Sequence, residues 1–155
     1  MAFVRGANAI TDGLVLALDA ANPKSYVSGS TSWFDLSGNG NSGSLVNSPV
    51  YSGSNNGYIS TNGTNNYISI KNSTLWNFTT TSTLIIWCNP QNTSGGDIII
   101  YQKGGWIGWI IQSDGGIYYS GQSGANDFGG SYNMVHNSWQ QLVFTVNRDC
   151  LLYTS

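Results

Sequence analysis

The chain has 155 residues, of which 40% are hydrophobic, 13% aromatic and only 8% charged, and its formal net charge is −2. With no Glu, it lacks what solvates an ordinary helix, and its polar surface must come from 18 Asn, 21 Ser and 12 Thr. Five scattered basic residues give no nucleic-acid footprint and no polybasic membrane patch, and no apolar run is long enough to insert in a membrane.

The length suits one domain. Residues 1–12 read as a lead-in that begins Met1-Ala2-Phe3-Val4-Arg5-Gly6. No secretory signal is read there, because the apolar stretch Leu14 to Leu18 is short and lies between Asp12 and Asp19. From residue 13 onward, short apolar runs alternate with Gly, Asn and Ser clusters, the pattern of an all-β sandwich or barrel. Gly13 to Asp19 predicts a first strand. The long polar stretch Asn22 to Asn56 is broken by Trp33-Phe34 and by Ser44 to Val46. Tyr58 to Ser60 and Tyr67 to Lys71 predict two short strands. Asn62-Gly63 and Asn65-Asn66 between them can take the positive φ of tight turns.

Ser82 to Cys88 carries the apolar run Leu84 to Cys88, which predicts a strand buried on both faces and ended by Asn89-Pro90, with Cys88 as a small core residue. Asp97 to Lys103 and Trp106 to Gln112 predict a pair joined at Gly104-Gly105. Asp114-Gly115 then turns into Ile117 to Ser120, and Ser138 to Asn147 is the last clear strand. The one helical candidate, Asn72 to Asn77, is short. The final six residues, Cys150 to Ser155, match the translation of a transposon-end adapter used in sequencing libraries. They are expected to be read-through in a metagenomic fragment, with natural sequence ending near Asp149.

Several landmarks coincide in order and spacing. They are Gly13-Leu14-Val15-Leu16 with Leu18-Asp19-Ala20-Ala21-Asn22-Pro23, then Trp33-Phe34-Asp35-Leu36-Ser37-Gly38-Asn39-Gly40-Asn41. Asn66-Tyr67-Ile68-Ser69-Ile70, Ile86-Trp87-Cys88-Asn89-Pro90 and Ser138-Trp139-Gln140-Gln141-Leu142-Val143 follow. Together they resemble the laminin-G-like, concanavalin A-like lectin/glucanase jelly rolls of bacterial surface and phage structural proteins, over roughly residues 13 to 147. The resemblance implies an antiparallel jelly-roll β-sandwich occupying 13–149. It also implies that Trp87 and Trp139 pack in the core. Relatives continue with an L-Y-x-N-G turn and a closing strand; neither is present, so the domain is expected to be C-terminally incomplete.

Glucanases of this fold need two carboxylates about 5 Å apart; the seven Asp never recur at i+2 or i+4, so a glycoside hydrolase ranks third and an enzyme is not expected. Laminin-G-like relatives often hold Ca²⁺ with loop oxygens, and Asp35, Asn39 and Asn41 in one Gly-rich loop are the metal candidates. The competing reading is that they bond backbone N–H groups and hold the turn. One His and one secure Cys exclude zinc.

Glycans bind by stacking on exposed aromatic rings beside amide side chains. Trp106, Tyr118 and Tyr101 with Asn126 are the ligand candidates, against a core or rim role for each. The expected function is a non-catalytic module that recognises glycans or attaches to a surface, within a virion or at the cell surface. The alternative is a purely structural module whose partners are neighbouring protein subunits. Sequons at Asn62, Asn72, Asn77 and Asn92 are expected by chance in so Asn-rich a chain.

Overall fold

The apolar runs become strands and the Asn, Ser and Gly clusters become turns. A computed structural model describes residues 12–70, 81–91, 98–103, 107–111, 117–120, 128–130 and 135–146. Their regular structure is all β, apart from a 3-10 turn at Ser54–Asn56, and every strand pairing is antiparallel. The chain forms two compact units, Met1–Asn77 and Phe78–Ser155. The helical candidate Asn72 to Asn77, the turns at Gly104-Gly105 and Asp114-Gly115, and the adapter-like tail lie outside the described residues.

In the first unit, β1 (Ser32–Trp33), β2 (Gly43–Val46) and β5 (Tyr67–Ile70) form a three-stranded sheet in the order β1-β2-β5. β3 (Val50–Ser52) and β4 (Tyr58–Ser60) pair with each other, Tyr51 opposite Ile59. β3 falls inside the stretch Asn22 to Asn56 that reads as polar, since Val50 and Tyr51 stand among Ser, Asn, Gly and Pro. Gly63 takes φ +68° in the loop before β5, where the Asn62 carboxamide oxygen accepts N–H bonds from Thr64, Asn65 and Asn66. Gly57 is required by its setting: its φ is +101°, and a Cβ there would lie 2.9 Å from the Ala20 carbonyl oxygen.

The predicted first strand, Gly13 to Asp19, joins no ladder. Its main chain is satisfied mainly by side chains of a loop some twenty residues later, so it runs extended without strand partners. Nearby, buried Tyr26 meets Trp33 edge-on at a centroid distance of 6.4 Å and Tyr51 at 5.0 Å. Among the described residues of the first unit, Tyr26 and Ala20 are the buried hydrophobic side chains.

In the second unit, β6 (Ser82–Cys88) pairs along its whole length with β11 (Gln140–Val146). β7 (Ile98–Lys103), β8 (Ile107–Ile111), β9 (Ile117–Ser120) and β10 (Phe128–Gly130) form a four-stranded sheet in chain order, with a register irregularity between Ile99 and Tyr101. Strand periodicity puts Leu84, Ile86 and Cys88 on one face with Leu142 and Phe144, which are 5% and 7% exposed. The opposite face of the same two strands is open. The expectation that β6 is buried on both sides is therefore corrected: its burial alternates residue by residue.

Candidate functional sites

The Gly-rich loop after β1 holds the metal candidates. Asp35 Oδ1 accepts the N–H groups of Ala17 and Ser37, each at 2.9 Å. Its Oδ2 accepts the Ser37 hydroxyl at 2.7 Å and the Asn41 N–H at 3.0 Å. The Asn39 and Asn41 amides donate to the Leu14 and Val15 carbonyls, both at 2.8 Å, and Leu36 N–H donates to the Ala17 carbonyl. The loop and the segment 14–17 are thus laced together, with Asn41 only 4% exposed. Desolvation acts to raise the Asp35 pKa, but the bonds from Ala17, Ser37 and Asn41 outweigh it and hold the carboxyl below its ordinary 3.8. Asp35, Asn39 and Asn41 do come together. What they visibly do is hold chain to chain, and among the described residues no three His, Cys, Asp or Glu side chains gather as a metal cluster.

The ligand candidates fare differently. Trp106 and Asn126 lie outside the described residues. Tyr101 of β7 is paired with Trp109 of β8, and Trp109 with Tyr119 of β9. Tyr118 of β9 is in register with Ile110 of β8 and Gly129 of β10.

The open face of β6 and β11 consists of three rungs: Trp87 opposite Gln141, Ile85 opposite Val143, and Thr83 opposite Thr145. All six residues are exposed. Trp87 is 63% exposed, Ile85 60% and Val143 56%, which corrects the core role implied for Trp87; Trp139 is half-buried. The Thr83 and Thr145 hydroxyls lie 3.3 Å apart. No rung carries a charge. The signal in the sequence was β11, where Gln141, Val143 and Thr145 alternate with Leu142 and Phe144 and mark one face as open. Burial raises the pKa of the half-buried Cys88 thiol on the inner face, which suppresses the thiolate that nucleophilic chemistry requires.

The only histidine, His136, is half-buried in the turn that leads into β11. That turn is tied by Asn137 N–H to the Pro90 carbonyl at 2.8 Å and by the Gln140 amide to the Val135 carbonyl at 2.6 Å. The His136 Nδ1 is buried without a hydrogen-bond partner in the structure.

A family model described as the concanavalin A-like lectin/glucanases superfamily matches residues 62–152. Searches of curated proteins and of solved structures give no significant match.

Proposed function

We propose that this chain, which belongs to the concanavalin A-like lectin/glucanases superfamily, is a non-catalytic binding module that recognises glycans at the surface of a virion or cell. The observation that carries the reading is the exposed, uncharged face of β6 and β11, where Trp87, Ile85 and Val143 meet solvent. A rigid strand pair presenting apolar side chains is a surface for contact. The want of charge on it favours a neutral ligand.

Catalysis is disfavoured by the acids themselves. Retaining hydrolysis needs a nucleophile and an acid/base about 5 Å apart, but the chain has no Glu and its Asp are widely spaced. Asp35, the most firmly held of the described acids, spends both oxygens on the fold.

A glycan array probed with the full chain, in the presence of Ca²⁺ and again with a chelator, tests the reading. Binding to at least one class of polysaccharide is expected, and binding to none overturns it. Release of reducing sugar from a β-glucan would instead restore the hydrolase reading. A second reading, a structural module held between protein subunits, draws on the first unit, where Val27, Phe34 and Val50 are 57%, 49% and 64% exposed. Sedimentation velocity addresses that reading for copies of this chain: self-association that Val50→Ser abolishes would favour it.

A further inference from the structure

We propose that the three rungs of β6 and β11 form a stacking platform for an uncharged oligosaccharide lying lengthwise along the strands, bound without a metal ion. This rests on the glycan-binding reading and gives it a site. Trp87 supplies a flat indole on which the C–H face of a pyranose ring can lie. Gln141, directly across the ladder, offers both an amide donor and a carbonyl acceptor for equatorial hydroxyls. Two positions along, Ile85 and Val143 make a smooth apolar saddle. Beyond it, the paired Thr83 and Thr145 hydroxyls, 3.3 Å apart, can each donate and accept. Aromatic, aliphatic and hydroxyl rungs in that order match an extended sugar chain, which offers apolar faces and hydroxyl edges in turn.

Size separates a glycan from a protein partner. Thr83 to Trp87 spans four strand steps, about 13 Å, and the two strands are ~4.8 Å apart. A platform of those dimensions has the length of a short oligosaccharide. Among the described residues it covers on the order of one or two hundred Å², far less than the ~800 Å² per partner of a stable protein interface. Charge argues the same way, since Thr83, Ile85, Trp87, Gln141, Val143 and Thr145 are all neutral and give an acidic sugar or a charged peptide nothing to pair with. The backbone that carries the indole is also pre-placed, because its strand is bonded to β11 along its whole length, so little backbone order is lost on binding.

The test is native affinity electrophoresis of the full chain through gels containing laminarin, mannan, hydroxyethylcellulose or alginate, with tryptophan fluorescence titration of any polysaccharide that retards it. The expected result is retardation by one of the neutral polymers, equal in Ca²⁺ and in chelator, and little changed at high salt. Replacement of an exposed anchor of this kind, Trp87→Ala, is expected to weaken binding about tenfold or more. Trp87→Phe is expected to recover part of it, and Gln141→Ala to weaken it about threefold. Tyr67→Ala, at an exposed aromatic ring of the first unit, serves as the control that leaves binding unchanged. If the parent chain binds a neutral polymer and Trp87→Ala, with a parental circular dichroism spectrum, binds equally well, this site is wrong and the glycan reading stands. If the parent chain binds no polysaccharide, both fail. Binding to alginate alone, or only with Ca²⁺, overturns the uncharged, metal-free platform.

Discussion

Asp35 and Trp87 stand in two regions built on opposite principles. Around Asp35 the polar groups are spent on the chain itself: both carboxylate oxygens accept, and the Asn39 and Asn41 amides donate to main-chain carbonyls. On the open face of β6 and β11, the Trp87 indole and the Gln141 amide meet solvent, and only the two Thr hydroxyls approach each other. The first region is rich in the residue types that make sites and uses them as mortar. The second is rich in the types that make cores and leaves them uncovered. Function is read from which groups remain unspent, more than from which groups are present.

The largest effect that would sharpen this contrast lies within one strand. Leu142 is 5% exposed and its neighbour Val143 is 56% exposed. Leu142→Ala should lower unfolding stability by about 3 kcal/mol, as for other buried leucines. Val143→Ala should change it by no more than about 0.5 kcal/mol. Urea midpoints at constant m measure both. Equal losses would mean that both faces of β11 are covered, and would break the comparison at its root.

Next comes the mortar. Asp35→Ala removes an acceptor used by Ala17, Ser37 and Asn41, and should cost about 2 kcal/mol because the orphaned N–H groups are only partly buried. Asp35→Asn, which keeps one acceptor oxygen, should cost about half as much. A smaller effect follows from pH. The folded carboxyl titrates below its ordinary 3.8, so the folded state binds a proton less readily than the unfolded chain. Its contribution is therefore complete above 3.8 and is lost as pH falls through the lower folded value. Urea midpoints followed from neutral pH into that acid window should decline in the parent chain, with this component missing from Asp35→Asn.

The sequence showed the strands more clearly than what covers them. Ser82 to Cys88 reads as a strand from its β-branched and aromatic residues, and the structure gives β6 those same bounds. A continuous apolar run carries no phase, however, so it cannot say which face is open; the phase was in Gln141, Val143 and Thr145, on a strand more than fifty residues away. Leu14 to Leu18 failed in the converse way. Its apolar run predicts a ladder, but its partners are side chains of residues 35–41, and no local period encodes a contact at that separation. The aromatic candidates lie among Gly-rich turns and short strands, where sequence does not say which strands pair; register is what sets Tyr101 opposite Trp109 and Tyr118 opposite Ile110. Pairing register is a tertiary property, fixed when whole strands choose their partners.

The smallest expected effect is a null one, and it bears on the calcium question. Ca²⁺ takes six to eight oxygen ligands. To serve it, Asp35 would have to release N–H groups of Ala17, Ser37 and Asn41, leaving partly buried donors without partners. Asn39 and Asn41 could offer their carboxamide oxygens while still donating to Leu14 and Val15, but neutral oxygens alone bind the ion weakly. Saturation at a hundred times the dissociation constant would add about 2.7 kcal/mol to stability, so occupancy of a real site would be plain in a thermal melt. Millimolar CaCl₂ is expected to leave the melting temperature unchanged. A rise that Asp35→Asn abolishes would show that the mortar yields to the ion, and the loop after β1 would then join the open strand face as a second region with groups to spare.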